Sequence, residues 1–262
     1  MKSPRGIYKM CKVISISNQK GGVGKTTTTC NLAAGLKKRG FRVLMIDLDP
    51  QGNLGFSVGV DTDTCATIYD VLKGDVKTLF AIQKSDTADL IVSSILLSGI
   101  ELEFTNTGRE YLLKEALKPV LDHYDYILLD TPPALGILTI NAFTASNAII
   151  VPVLSDIFSL QGIGKLYETV ERVKKYCNPD LNIAGILLTK FNPRTHLCKE
   201  IRGTAAMIAE DLNIRLFDTY IRSSVVVSEA QSIQQNILDY SPRNNIAKDY
   251  QNFTDELLTK EA

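Results

Sequence analysis

Residues 13–27 read Val13-Ile14-Ser15-Ile16-Ser17-Asn18-Gln19-Lys20-Gly21-Gly22-Val23-Gly24-Lys25-Thr26-Thr27. An apolar β-branched run enters a glycine-rich turn. From Thr26 to Arg39, Cys30, Ala33, Ala34 and Leu36 then recur at helical spacing, and Gly40 ends the pattern. Strand, glycine loop and helix in this order make a phosphate cradle. The glycines let backbone N–H groups turn onto phosphate oxygens, and the helix N-terminus adds partial positive charge. Lys25 supplies a cation for β- and γ-phosphates, and the Thr26 hydroxyl can ligate Mg²⁺. The strict G-x-x-x-x-G-K-[ST] pattern would need glycine at position 19, where Gln19 stands; a second lysine, Lys20, opens the loop instead.

Working outward, apolar runs recur at 13–17, 43–47, 89–92, 126–130, 148–152 and 183–188. Several are apolar at successive positions, the pattern of strands buried on both faces. Helical spacing is expected over Arg109 to Leu121, Gly164 to Tyr176, Lys199 to Leu212 and Ile246 to Leu258. The alternation predicts an α/β fold: a doubly wound, mostly parallel sheet with helices on both faces, binding its ligand at the carboxyl ends of the strands. No Gly/Ser- or Pro-rich linker interrupts it. The expectation is one domain over residues 1–262, with residues 1–10 a short basic lead-in.

The chain has 262 residues, 45% hydrophobic and 22% charged, with 29 basic and 29 acidic side chains. Disordered, collagen-like and coiled-coil classes are excluded, and any polyanion must be met by a local patch. No apolar run reaches the roughly 18 residues of a membrane helix. The five cysteines are scattered without a Cys-x-x-Cys pair, which favours reduced thiols. His123 and His196 are the only histidines, so a histidine triad or zinc site is not expected.

Two further segments carry carboxylates. Asp47-Leu48-Asp49-Pro50-Gln51-Gly52-Asn53 closes the second apolar run, and side chains at i and i+2 of an extended segment share a side. Beside a triphosphate and Mg²⁺, one of them can orient water or hold a metal-bound water. Leu128-Leu129-Asp130-Thr131-Pro132-Pro133 ends the fourth run in an aspartate suited to meet Mg²⁺ at the sheet edge.

The octet Lys20 to Thr27 resembles the deviant Walker A motif of the ParA/MinD class of P-loop ATPases. Residues 47–53 resemble its D-x-D-P-Q-G-N segment, and Asp130-Thr131-Pro132-Pro133 its Walker B. The likeness extends to Val151-Pro152 with Ser159-Leu160-Gln161-Gly162, to Leu187 through Thr195, and to Thr219-Tyr220-Ile221-Arg222 with Ser228-Glu229-Ala230. It is most similar to small ParA/Soj-type partition ATPases without an extra N-terminal DNA-reading domain.

The resemblance implies ATP and Mg²⁺ as cofactors. It implies Gly21, Gly22, Val23, Gly24, Lys25, Thr26 and Thr27 around the phosphates, and Thr26, Asp49 and Asp130 around the metal. Asp49 is the implied hydrolytic aspartate, and Lys20 reaches a partner's phosphates across an ATP-dependent homodimer. Asn192 joins the nucleotide-binding set, and Ile221, Arg222 and Ser224 hold the adenine largely through backbone. The implied partners are nonspecific double-stranded DNA and a ParB-type centromere-binding protein. The implied place is the cytoplasm, on the nucleoid and not on a membrane.

Two departures stand out. Soj-type chains often carry Ile-Pro-Arg-Asn where this one has Ile221-Arg222-Ser223-Ser224. They often carry Arg-Leu-Ser-Glu-Ala where this one has Val226-Val227-Ser228-Glu229-Ala230, so a familiar arginine is missing. From Lys190 to Lys248, eight basic side chains face six acidic ones, a small surplus that a dimer would double.

Four rivals share the loop or the fold. A MinD-type membrane ATPase would end in a basic amphipathic helix; here Asp249, Asp255 and Glu256 are read on the polar face of the last helix, which suits docking on the core. An iron–sulfur reductase would need two cysteines per subunit at a dimer face; Cys177 and Cys198 lie near a helix end and on a later helix, without that family's surroundings, and read as buried or incidental thiols. A tyrosine kinase would want a C-terminal tyrosine cluster, and only Tyr240 and Tyr250 stand there. A non-enzymatic adaptor that uses ATP only to dimerise reads alike in sequence.

Overall fold

The computed structural model describes residues 10–62 and 64–259; nearly all of the basic lead-in lies outside them. Six strands form one sheet: β1 (Lys12–Ile16), β2 (Val43–Asp47), β3 (Asp89–Ile91), β4 (Tyr126–Asp130), β5 (Ala148–Leu154) and β6 (Asn182–Thr189). The order is β3-β2-β4-β1-β5-β6, and every pairing is parallel, so the sheet is wholly rather than mostly parallel among the described residues. The chain winds from β1 toward β2 on one side and returns to β5 and β6 on the other. The crevice beside β1 is therefore the topological switch point where such sheets take ligands.

The six apolar runs become the six strands because each is covered twice. Val13, Leu44, Ile46, Ile127 and Leu129 feed one buried cluster, while Ile14, Ile16, Met45 and Leu128 feed the other. Burying such a side chain stabilises the fold by roughly 1.5–3 kcal/mol.

The helices are α1 (Lys25–Lys38), α2 (Asn53–Ser57), α3 (Ile68–Lys73), α4 (Thr78–Ala81), α5 (Ile100–Glu103), α6 (Leu112–Leu117), α7 (Ile137–Ala145), α8 (Ile157–Tyr176), α9 (His196–Asp211), α10 (Val226–Ser232), α11 (Ile237–Tyr240) and α12 (Asn245–Thr259). The helix expected over 109–121 is only α6 in its middle, with tight 3₁₀ turns on both sides. Pro119 supplies no N–H and ends the regular ladder. Helix α8 begins at 157, ahead of the expected 164, because Asp156 caps it, accepting from Ser159 N at 2.9 Å. No described helix is long and apolar enough to cross a membrane.

Helix α12 lies across α1. A Cβ on Gly35 of α1 would stand 2.3 Å from Thr254 Oγ1, so only glycine allows this approach. Asp249, read from the sequence as part of the polar face of α12, is in fact buried on its inner stripe beside Ile246 and Tyr250.

Candidate functional site

The glycine loop turns into α1 through two left-handed residues, Gly22 (φ +73°) and Gly24 (φ +88°), the conformation that disfavours any L side chain. Lys25 opens α1, buried, with Nζ donating to Lys20 O at 3.3 Å. Burial pulls the Lys25 pKa down, while Asp130 and Asp49 oppose it by charge. From beneath, the Thr189 hydroxyl at the end of β6 reaches Val23 O at 2.8 Å and Val153 O at 3.1 Å. This brace ties loop, β5 and β6 together. Thr189 lies within the stretch Leu187 to Thr195, where nothing in the sequence pattern assigns it a role.

The carboxylates divide their work. Asp47 and Asp130 stand in register at the ends of β2 and β4, and Ile16 of β1 is level with Asp130. Asp47 is wholly buried: Oδ1 accepts Asp49 N and Oδ2 accepts Leu54 N, both at 3.0 Å. It holds the loop that presents Asp49, which is only half-buried and lines the cleft. Burial raises the Asp47 pKa, with Asp130 adding to the rise, and its two N–H bonds oppose it.

Asp130 is 1% exposed, and neither of its carboxylate oxygens has a hydrogen-bond partner. Burial lifts its pKa to about 7; the adjacent Thr26 hydroxyl and Lys25 ammonium pull against that rise without satisfying the oxygens. A buried, unsatisfied carboxylate beside a hydroxyl and a second aspartate has the donor set of a hard divalent cation.

Lys20 is committed elsewhere. Its Nζ lies 2.9 Å from both oxygens of Asp156, in the turn between β5 and α8. Its own N–H donates to Asn18 Oδ1 at 2.9 Å, and Asn18 Nδ2 donates to Pro152 O at 2.6 Å. Burial raises the Asp156 pKa, but Lys20 and the Ser159 N–H and hydroxyl outweigh it, so the net shift is downward.

The cleft has a volume of about 610 Å³ and runs from the glycine loop to the segment 221–224 and α12. Gly21 to Thr27, Asp49, Ile221, Arg222 and Ser224 all line it. Asp130 is not part of the lining; it is buried next to Lys25 and Thr26, which are. The structure does not bring Asn192 to the cleft: it is exposed, and its Oδ1 accepts Arg194 N at 3.1 Å in the turn before α9. Arg222 lines the cleft, and its guanidinium is taken up by Asp249.

A profile of the AAA domain family matches residues 11–183. The chain is 41% identical to the sporulation initiation inhibitor protein Soj of Bacillus subtilis over 252 residues, 95% of this chain and 98% of that one. It is 38% identical to the chromosome partitioning protein ParA of Caulobacter vibrioides, over 95% of each chain. The chain belongs to the ParA/Soj family of P-loop ATPases. Among solved structures, the cobyrinic acid a,c-diamide synthase of Mycobacterium smegmatis with bound ADP and magnesium superposes with a TM-score of 0.83 at 34% identity, covering 95% of this chain and 94% of that one. In this chain the glycine loop follows the first strand, and Asp47 and Asp130 stand level at the ends of β2 and β4.

Proposed function

We propose that this ParA/Soj-family protein is an Mg²⁺-dependent ATPase that dimerises on ATP, binds nonspecific double-stranded DNA in that state, and drives partition of a chromosome or plasmid. One observation carries the reading: the unpartnered carboxylate of Asp130 lies buried beside Thr26 and Lys25, at the mouth of a loop built for phosphate. Proteins of similar sequence named for chromosome partitioning, and a similar structure holding ADP and magnesium, support it.

In this reading the backbone N–H groups of residues 21–27 hold the α- and β-phosphates, and Lys25 leaves Lys20 O to reach the β- and γ-oxygens. Thr26 and Asp130 hold Mg²⁺, with Asp49 adding to the charge around it. Mg²⁺, when bound, neutralises charge that builds on the transferred phosphoryl group. Asp49 orients the attacking water, whose oxygen bonds to the γ-phosphorus as the β–γ bridging bond breaks, giving ADP and phosphate. Lys20 exchanges Asp156 for the γ-phosphate of a second copy, so dimerisation depends on the nucleotide. A ParB-type protein speeds the turnover. ATP and ADP then mark DNA-bound and released states, with the protein gathered on the nucleoid while ATP is bound.

The test is binding to random-sequence duplex DNA with ATP and with ADP, across a salt series, with Asp49→Ala holding the ATP state. Binding only with ATP, weakening steeply as salt rises, is the expected result. Absence of binding in both states, with an ATP-dependent dimer still forming, would move the target to a membrane or a protein.

A further inference from the structure

Asp249 is 5% exposed and sits on the inner stripe of α12, where Ile246, Tyr250, Phe253 and Leu257 are apolar. A charge there costs free energy unless it is fully paired. Its pairing comes almost wholly from one residue. Arg222 Nε donates to Oδ2 at 2.9 Å, Arg222 Nη2 to Oδ1 at 2.5 Å, and the Arg222 backbone N–H to Oδ2 at 3.1 Å. Nη2 also donates to Asn245 O at 3.2 Å. A buried ion pair is poor evidence for stability, since an apolar pair of similar volume serves as well. What a bidentate fork provides is direction, because the planar guanidinium accepts one orientation of the carboxylate.

The segment so held is the far wall of the cleft. Ile221 is fixed to β6, donating to Leu188 O at 2.8 Å and accepting from Phe191 N at 3.0 Å. Ser224 is fixed to α10: its Oγ accepts from Val226 N at 3.3 Å and its carbonyl from Val227 N at 3.4 Å. Between these points the Arg222 guanidinium ties the loop to α12, through the fork to Asp249 and the bond to Asn245 O. Ile246 and Tyr250, on either side of Asp249 in sequence, line the same cleft. The fork thus sets the distance between the polar peptide units around Ser223 and an apolar slot formed with α12. Hydrogen-bond groups opposite an apolar slot are what a flat heterocycle needs for discrimination.

We propose that Arg222 and Asp249 are positioning residues for the nucleotide base: their fork fixes the Ile221–Ser224 loop against α12 and so determines how strongly the cleft prefers ATP to a bare polyphosphate. This rests on the reading of the cleft as a nucleotide site with its base end at residues 221–224. The backbone reading of Arg222 is deepened by it, because the side chain acts on the base through the loop and not by contact.

The experiment is isothermal titration of Mg²⁺ with ATP, GTP or inorganic tripolyphosphate into wild type, Arg222→Lys, Asp249→Asn and the double variant, with steady-state turnover alongside. Lysine keeps the charge without the fork, and asparagine keeps the shape without the charge. The expected result is ATP affinity weakened about tenfold in each single variant, the loss of one or two well-placed hydrogen bonds. Tripolyphosphate affinity stays within twofold, the preference for ATP over GTP narrows, and KM moves more than kcat. The double variant is no worse than either single one, as expected of one shared interaction. Unchanged ATP affinity in both single variants overturns the proposal. So does an equal loss for ATP and tripolyphosphate, which would make the fork a support of the whole cleft. Wild type binding tripolyphosphate as tightly as ATP would overturn the base-end reading itself, and the proposal with it.

Discussion

Lys20 and Asp156 are bound to each other within a single chain, Nζ standing 2.9 Å from each carboxylate oxygen, with 37% and 35% of their side chains exposed. The lysine proposed to act on a second subunit therefore starts from an occupied position. A half-exposed pair of this kind is worth about 0.2–1 kcal/mol. Asp156→Asn removes the charge and keeps an Ncap oxygen for Ser159 N. With one such pair released in each subunit at fixed ATP, in an Asp49→Ala background, it is expected to raise the dimer association constant by up to about 30-fold. Sedimentation velocity measures this, and an unchanged or weaker dimer would show that Asp156 does not compete for Lys20.

Asp49 and Lys20 separate hydrolysis from assembly. Asp49→Ala is expected to bind ATP with near wild-type affinity and to lose about 100-fold or more in kcat, the scale of a lost proton-handling group. Lys20→Ala is expected to bind nucleotide and stay monomeric. Phosphate release and light scattering distinguish the two. Wild-type turnover by Asp49→Ala would end the water-positioning role.

Asp130 is placed for a ligand at the expense of the empty fold. Since neither carboxylate oxygen is bonded, Asp130→Asn is expected to stabilise the nucleotide-free protein by about 1–3 kcal/mol while abolishing Mg²⁺-dependent turnover. Urea melts with and without Mg²⁺-ATP test both halves. A variant less stable than wild type in the absence of nucleotide would mean that Asp130 is already well satisfied.

Glu256 on α12 accepts the N–H groups of Asp218 at 2.9 Å and Thr219 at 2.8 Å and pairs with Arg215. Burial alone would raise its pKa, but these bonds outweigh it and the net shift is downward from 4.5. A depressed carboxylate contributes stability above its unfolded pKa and loses it as the pH falls through the folded value. Glu256→Gln is therefore expected to cost about 1–3 kcal/mol at pH 7. The gap from wild type should shrink as the pH drops below about 4. Urea titrations at pH 7 and pH 3 measure it; a gap that stays constant would remove Glu256 from the acid limb.

Gly35→Ala sets helix propensity against packing. Alanine gains up to about 1 kcal/mol in a helix interior, but its Cβ would lie 2.3 Å from the buried Thr254 Oγ1. The overlap is expected to prevail and destabilise the fold by about 1–3 kcal/mol. Thr254→Ala in the same chain should recover part of it. Thermal melts of the three variants decide, and a stabilised Gly35→Ala would mean that the two helices separate freely.

Much of this was legible along the chain because it is contiguous there. The glycine loop, its lysine and its threonine occupy one stretch, and each strand announces itself as an apolar run since both sheet faces are covered. Asp130 was readable from its place at the end of such a run. Helix α7 was not: Ile137 to Ala145 is buried nearly all round and shows no amphipathic stripe to count. Pairings across the fold were equally hidden. Asp156 is 136 positions from Lys20, and its short-range role as a helix cap gives no hint of the lysine. Asp249 looked like a solvated residue because its partner, Arg222, comes from a loop with no periodicity of its own. Asn192 was drawn in by neighbouring resemblance, yet the turn before α9 directs it elsewhere.

Helix α12 is also the last described element to be synthesised. The phosphate end of the cleft is encoded by residue 27, but Ile246, Asp249 and Tyr250 leave the ribosome only after the whole sheet has been made. A domain folds as a unit, and β1, which leads into the glycine loop, has β4 and β5 as its sheet neighbours, so the cradle cannot set ahead of the sheet that carries it. A chain cut before α12 would lack Ile246 and Tyr250, and with them one wall of the cleft.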